Sequence, residues 1–149
     1  MTALEQAQGL LAAWAQETRT PEAGRLDVVI APEKLVAATT ALFDARWGYL
    51  AGITGLDAPK SGQIEVLYHF CAGAYVLTLR IALAREKPSI ASICSVIPAA
   101  SMFERELAEM FGVAVVGTPD PSRLFLPDDW QDGVYPLRKD FAEEASHAE

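Results

Sequence analysis

The chain has 149 residues and a formal net charge of −8 at pH 7, with a sequence pI near 4.7. One domain of this length buries roughly two-thirds of its unfolded surface, and 51% hydrophobic with 21% charged residues excludes wholesale disorder. The acidic balance argues against nucleic acid as a partner, because phosphate binding needs clustered Lys and Arg.

The N-terminal part predicts a helix, a strand and a second helix. Thr2 and Glu5 form the T-x-x-E of a capping box, and Pro21 and Gly24 end the helical pattern. The apolar residues at helical spacing in this first helix are Leu4, Ala7, Leu11 and Trp14. A short β-branched strand follows in the run LDVVIA, and Pro32 suits the first position of the second helix. The stripe predicted for that helix consists of Leu35, Val36, Thr39, Leu42 and Phe43.

The middle of the chain predicts antiparallel strands. The run YLAGITGL is followed by a polar turn with Pro59 and Gly62, and two further strands flank a tight turn at Ala72-Gly73. One face of this hairpin is predicted to carry Ile64, Val66, Tyr68, Phe70, Tyr75, Leu77, Leu79 and Ile81. The apolar residues on both faces indicate that helices cover one face and that something else partly covers the other.

Two more helices are predicted after Pro88. The run SIASICSVI predicts a short helix that Pro98 stops. In the run SMFERELAEMFG, Ser101 and Glu104 suggest a second capping box and Gly112 a left-handed terminator. The predicted buried face of this helix is Phe103, Leu107 and Met110.

The charges on this last helix have several interpretations. Glu104 completes the capping box, Arg105 and Glu109 form an i, i+4 surface pair, and Glu106 is solvated. A carboxylate pair for acid–base catalysis is the competing interpretation, but it needs a pocket and a raised pKa.

Residues 113–149, the C-terminal arm, are apolar yet irregular and rich in proline. An extended segment leaves backbone groups unpaired, so it needs a surface that supplies hydrogen-bond partners. That surface is either a second protein or the exposed sheet face of this domain, and the residues leave both open. The predicted fold is therefore α+β: an antiparallel or mixed sheet with two to three packed helices in a body of residues 1–112, and an extended arm over 113–149.

Membrane insertion and metal binding find little support in the sequence. No apolar run approaches the ~20 residues that span a bilayer, and the N-terminus lacks the basic region of a secretory signal. Cys71 and Cys94 stand apart without a CxxC pair, which predicts a reducing, cytoplasmic compartment and two packed thiols. His69 is expected to be a packed or edge histidine in a strand, and His147 lies in a polar tail.

Three blocks of residues carry a resemblance to a known family. The first block consists of Glu104, Arg105, Glu106, Phe111 and Gly112. The second consists of Pro119, Asp120, Arg123, Leu126, Asp129 and Trp130. The third consists of Pro136, Leu137, Arg138, Lys139, Asp140 and Phe141. In order and spacing they resemble the family of the thirty-kilodalton subunit of respiratory complex I, the NADH:quinone oxidoreductase, which includes subunits of energy-converting hydrogenases. The resemblance extends over residues 25–141.

Some positions depart from the family pattern. Thr118 stands where the family usually has His, and Ser122 where a second basic residue is common. Ala108 and Glu109 replace an aromatic residue and Asp, and Ile97 replaces Trp. These departures leave complex I and hydrogenase-type complexes both open.

The resemblance implies a non-catalytic structural subunit in the hydrophilic arm of an ion-translocating redox complex. It implies no cofactor in this chain, with iron–sulfur clusters, flavin or nickel–iron only in partner subunits, and the chain lacks CxxC, GxGxxG and P-loop signatures. The implied partners are the large hydrogenase-like, quinone-site subunit and a neighbouring iron–sulfur subunit, at the cytoplasmic face of the membrane and without a span. The implied partner-contact residues are Glu104, Arg105, Glu106, Arg123, Asp129, Trp130, Tyr135, Pro136, Leu137, Arg138, Lys139 and Asp140.

Other functions stay open beside this one. One is the equivalent subunit of an energy-converting membrane-bound hydrogenase or formate hydrogenlyase. A free-standing enzyme would use Glu104, Glu106 and Arg105. A binding module without further partners in a complex would cover its own sheet with the arm.

Overall fold

The computed structural model describes residues 1–142, in which helices and strands alternate before an irregular C-terminal segment. The helices are α1 Ala3–Leu11, α2 Leu35–Asp44 and α3 Ser101–Phe111. The strands are β1 Glu17–Arg19, β2 Arg25–Val29, β3 Tyr49–Ala58, β4 Gln63–Ala72, β5 Tyr75–Ala84, β6 Ser89–Ala91 and β7 Ala114–Val116. His147 and the last residues of the arm lie outside the described residues.

Five of these strands form one mixed sheet, as the α+β prediction requires. The strand order is β1-β2-β5-β4-β3, and only β2 and β5 pair in parallel. The β4–β5 hairpin at the centre turns at Gly73, whose φ of 59° suits a residue without a side chain. The α+β fold class and the mixed sheet are therefore confirmed.

The helices pack on one face of this sheet. The predicted alternation is confirmed on that face for the largely or fully buried Ile64, Val66, Tyr68, Phe70, Leu77, Leu79 and Ile81. Helix residues complete the core, among them Ala7, Leu11, Leu35, Ala38, Leu42, Leu107 and Phe111. This burial is the main source of stability, at about 25 cal/mol for each Å² of apolar surface removed from water.

The other face of the sheet, the outer face, carries polar side chains. Arg80 reaches Asp27 and Glu65, each at 3.1 Å. His69 lies between the hydroxyl groups of Thr54 and Thr78, at 2.9 and 3.0 Å, and burial lowers the pKa of its imidazole. Cross-strand pairs of this kind fix the register of the sheet on its solvent side.

Several local predictions are wrong in instructive ways. Residues 89–97 are not a helix, because Ser89–Ala91 forms β6 and pairs in parallel with β7, the first part of the arm. Phe43 is 57% exposed, so it lies off the buried stripe of α2. The capping box of Thr2 and Glu5 is confirmed, but Ser101 caps nothing: α3 follows a short 3₁₀ turn at Pro98–Ala100 and has no side-chain cap.

Candidate functional site

Helix α3 connects the body to the arm through two neighbouring stripes of side chains. Glu104, Leu107 and Phe111 are buried in the body, at i, i+3 and i+7. Arg105 and Glu109, one turn apart, meet the arm instead. The helix ends at Gly112, as predicted, in the left-handed region with φ of 73°.

Glu104 lies inside the protein, with 1% of its surface exposed. Its Oε1 accepts hydrogen bonds from the Ser92 hydroxyl at 2.6 Å and the Cys94 thiol at 2.9 Å, and its Oε2 accepts the Ile93 N–H at 2.8 Å. Burial raises the pKa of the Cys94 thiol, and the hydrogen bond to the Glu104 carboxylate is the next largest cause of the increase. Glu104 therefore fixes the loop after β6 to α3, and its predicted role as a contact residue stays a prediction for a side chain that is 1% exposed.

Arg105 binds the backbone of the arm rather than Glu109. Its Nε donates to the Ser122 carbonyl at 2.9 Å, and its Nη2 donates to the Arg123 carbonyl at 2.8 Å. Asp120 lies 3.4 Å from its Nη1, and the Ser122 hydroxyl and N–H lower the pKa of that carboxyl. One guanidinium thus satisfies two carbonyl groups that no strand would satisfy.

Glu109 binds the arm from the next turn of α3. Its carboxylate accepts the N–H groups of Leu124 at 2.7 Å, Phe125 at 2.9 Å and Leu126 at 3.3 Å. Hydrogen bonds to a charged acceptor are about twice as strong as neutral ones. Arg105 and Glu109 together therefore hold opposite polar groups of the same short arm segment.

Arg123 folds the arm around itself. It donates to the carbonyls of Pro127 and Trp130 at 2.7 and 2.9 Å and pairs with Asp132. The Trp130 indole N–H donates to the Val134 carbonyl at 2.8 Å, and its ring stacks on Phe141 with centroids 6.3 Å apart. Trp130 and Arg123, both predicted as partner contacts, thus make several of their contacts within the arm.

The end of the arm returns to the body. The Leu137 N–H donates to the Met110 carbonyl at 3.1 Å, and the Arg138 Nε donates to the Phe111 carbonyl at 2.7 Å. The Tyr135 ring lies over Gly112, where a Cβ would overlap it, and the Arg138 guanidinium lies 4.9 Å from that ring. These contacts use the free carbonyl groups at the C-terminal end of α3.

A buried ion pair completes this attachment. Asp57, at the end of β3, accepts two hydrogen bonds from Arg85 and a third from the Lys139 N–H at 2.8 Å. Hydrogen bonding to the Arg85 guanidinium holds the pKa of the Asp57 carboxyl at about 2, although the burial of Asp57 acts in the opposite direction. The same hydrogen bonds raise the pKa of Arg85. Arg85 also pairs with Asp140 at 3.2 Å.

A cleft of about 340 Å³ lies between α3 and the arm. Its lining includes Ala108, Arg105 and Trp130. Ala108 is the position where the resemblance implies an aromatic residue, and a small side chain there leaves the cleft open. The hydroxyl of Thr118, another departure, is buried without a hydrogen-bond partner among the described residues.

The arm's outward side carries apolar groups. Phe125 is 61% exposed and Leu137 is 51% exposed. Asp129 and Lys139 are exposed, whereas Tyr135 and Pro136 are partly buried. Glu106, on α3, is partly buried and makes no hydrogen bond or ion pair within residues 1–142. Exposed apolar groups next to an unpaired carboxylate are typical of a surface that binds another protein.

The three residues that a free-standing enzyme would use do not converge. Glu104 is buried in the body, Arg105 is bonded to the arm, and Glu106 faces a separate small cavity beside β3. In the described part of the chain, no three His, Cys, Asp or Glu side chains are grouped to hold a metal ion, and no helix is long and apolar enough to cross a bilayer.

Sequence reasoning misses three residues of this site. Asp57 and Arg85 come from a strand end and a turn that predict nothing special, although Asp57 is charged in an otherwise uncharged strand. Spacing alone pairs Glu109 with Arg105. Only the position of the arm shows that both side chains bind it instead.

Comparison with known proteins agrees with this architecture. The C subunit of the NADH-quinone oxidoreductase of Moorella thermoacetica is 35% identical over 117 residues, covering 76% of this chain and 78% of that protein. Formate hydrogenlyase subunit 5 of Escherichia coli is 36% identical over 120 residues, 78% of this chain but 21% of that protein. A chain in the structure of the membrane-bound sulfane sulfur reductase, an archaeal respiratory membrane complex, has a TM-score of 0.80 and 25% identity, covering 95% of this chain and 86% of that one.

Fold and arm geometry thus define the class: a small α+β domain of the kind found in subunits of respiratory redox complexes. The model of the family described as respiratory-chain NADH dehydrogenase, 30 Kd subunit, matches residues 28–147, and the chain belongs to that family.

Proposed function

We propose that this chain is a structural subunit of a complex I-like NADH:quinone oxidoreductase, in which it carries no cofactor and docks on the large hydrogenase-like, quinone-site subunit. The observation that carries the proposal is the arm. Side chains of α3 already hold its backbone, and its apolar residues Phe125 and Leu137 are each more than half exposed. A surface prepared in this way binds a partner without the entropy cost of ordering a loose segment.

The arm's internal contacts refine the role given to each contact residue. Arg105, Arg123, Trp130 and Arg138 shape the arm from within. Contact with the partner then falls to the outward groups Phe125, Asp129, Leu137 and Lys139. The iron–sulfur subunit is proposed as a further neighbour, and attachment to the membrane occurs through the complex.

A second candidate is the equivalent subunit of an energy-converting hydrogenase or formate hydrogenlyase. It is favoured by the similarity to formate hydrogenlyase subunit 5, which is 36% identical over 120 residues. The large partner would have the same general form in both cases.

Affinity purification of the tagged chain from its native host tests the proposal. We expect a large hydrogenase-like subunit to co-purify, and the isolated chain to contain neither flavin nor iron. Flavin and quinone in the purified complex indicate the first candidate, and nickel indicates the second. A chain that purifies alone, or that binds a cofactor stoichiometrically, contradicts the proposal.

A further inference from the structure

The two edges of the five-stranded sheet differ in length and chemistry. At one edge, β1 has three residues, and Glu17 and Arg19 pair there with both side chains about half exposed. At the other edge, β3 has ten residues and contains no Lys, Arg or Pro. Proteins protect free edges with short strands, charges and prolines. β1 has that protection, whereas β3 has only an irregularity of its register near its start, between Leu50 and Gly52.

The outward edge of β3 is unpaired within residues 1–142. β3 pairs with β4 from Tyr49 to Ala58, interrupted by one shift of register between Leu50 and Gly52, and no further strand follows it in the sheet. About half of its backbone N–H and C=O groups point away from β4. At roughly 3.4 Å per residue the edge is about 30 Å long, enough for a full additional strand.

A small cavity of about 140 Å³ opens beside this edge. It is lined by Ile53, Thr54 and Gly55 of β3, Glu106 and Phe111 of α3, and Leu137 of the arm. Thr54 lies on one face of the sheet and its two neighbours lie on the other. A cavity that touches all three residues therefore lies at the edge of the sheet. A strand edge flanked by a helix is the geometry in which an extended peptide adds to a sheet.

We call this cavity and the strand edge beside it the groove, and Glu106 determines its charge. It is partly buried and is without a hydrogen bond or ion pair in the described residues, on a chain whose net charge is −8. A carboxylate in this position is stabilised by a cation from outside the chain. Leu137 lines the groove and also belongs to the exposed surface of the arm. The groove and the exposed surface of the arm are therefore continuous.

We propose that an extended segment of the partner subunit adds to β3 as a sixth strand, with an apolar side chain in the cavity and a Lys or Arg against Glu106. This inference rests on the proposed function and specifies a second part of the same interface. Backbone hydrogen bonds along β3 supply affinity, and the cavity and Glu106 supply selectivity.

Two substitutions and a measurement on the unmodified complex test the sixth strand. Leu56→Lys adds to β3 a charge of the kind that protects free strand edges, at a position where the side chain is 43% exposed. Glu106→Lys reverses the charge of the groove. Phe43→Lys on α2 and the exposed Glu86→Lys are the matched controls. We expect the edge variants to lose on the order of tenfold or more in affinity for the co-purified large subunit, and the controls to behave as the wild type.

Hydrogen exchange needs no substitution. In the wild-type complex, amides of residues 49–58 should exchange more slowly than in the isolated chain. Equal exchange in both states, or edge variants that co-purify as well as the controls, overturns the sixth strand while the proposed function stands. Protection of β3 in the isolated chain together with a dimeric mass identifies a second copy as the occupant and also overturns it. A wild-type chain that captures no large subunit overturns both proposals.

Discussion

Asp57 and Arg85 form an ion pair with two hydrogen bonds at the point where the arm returns to the body. Arg85 Nε lies 2.6 Å from Asp57 Oδ1 and its Nη2 lies 2.9 Å from Oδ2, while the Lys139 N–H donates to the same Oδ2. The Asp57 side chain is 1% exposed. A carboxylate so buried is stable only with its partners in place, so the pair and the end of the arm depend on each other.

Asp57→Asn should therefore destabilise the protein and release the end of the arm. The amide keeps the shape but removes the charge, and we expect a loss of about 2 kcal/mol in the free energy of unfolding. Denaturant unfolding gives the loss, and hydrogen exchange of residues 137–141 reports the release. Glu17→Gln is the control, because its pair with Arg19 is about half exposed and an exposed ion pair contributes little to stability. Equal losses in both variants would contradict the role of Asp57.

The same pair predicts a pH dependence at the acid end. Folding lowers the pKa of Asp57 from 3.8 to about 2, so its contribution is complete above pH 4 and is lost as the pH falls through 2. The stability difference between wild type and Asp57→Asn, about 2 kcal/mol at neutral pH, should shrink over that range. Urea titrations between pH 5 and pH 2 measure it. A difference that stays constant over this range would show that the charge of Asp57 is not the cause.

Glu109→Ala should loosen the arm without unfolding the body. The substitution leaves three arm N–H groups without their acceptor, while the core residues of α3 stay in place. We expect chymotrypsin to cleave after Phe125 on the order of tenfold faster, at an almost unchanged melting temperature. Glu106→Ala, on the same helix, is the control and should be cleaved at the wild-type rate.

The general fold could be predicted from the sequence because its signals are local. The capping box of α1 and the alternation in the β4–β5 hairpin follow from neighbouring residues, and both are confirmed. β6 escapes prediction because its partner β7 lies more than twenty residues later, so the pairing that selects a strand over a helix is not visible locally. β1 escapes it because all three residues are exposed and show no alternation.

The site could be predicted only in outline. The sequence indicates that α3 and the arm belong together, but it assigns Glu104 to a capping box and Arg105 to Glu109. In the structure Glu104 instead accepts hydrogen bonds from the loop after β6, and Arg105 and Glu109 bind the arm. A charged side chain on a helix has many acceptors and donors within reach, and only tertiary structure decides among them.

Glu104→Gln should be costly although it preserves size. The amide nitrogen would face a donor, either the Ser92 hydroxyl or the Ile93 N–H, in a site without water access. We expect a loss of about 2–4 kcal/mol in the free energy of unfolding and faster reaction of Cys94 with a thiol reagent. Glu106→Gln provides the comparison and should change neither value. Unchanged Cys94 reactivity in Glu104→Gln would contradict the link between the two side chains.

Gly112→Ala separates backbone strain from the contact with the arm. Gly112 and Gly62 have similar φ values, 73° and 68°, so an alanine at either costs about 1 kcal/mol of left-handed strain. A Cβ at Gly62 meets nothing within 4 Å, whereas one at Gly112 would overlap the Tyr135 ring. Gly112→Ala should therefore lower the free energy of unfolding more than Gly62→Ala does. Only Gly112→Ala should displace Tyr135 and increase hydrogen exchange in residues 134–139. Equal losses of stability with unchanged exchange would mean that Tyr135 does not hold the arm on the end of α3.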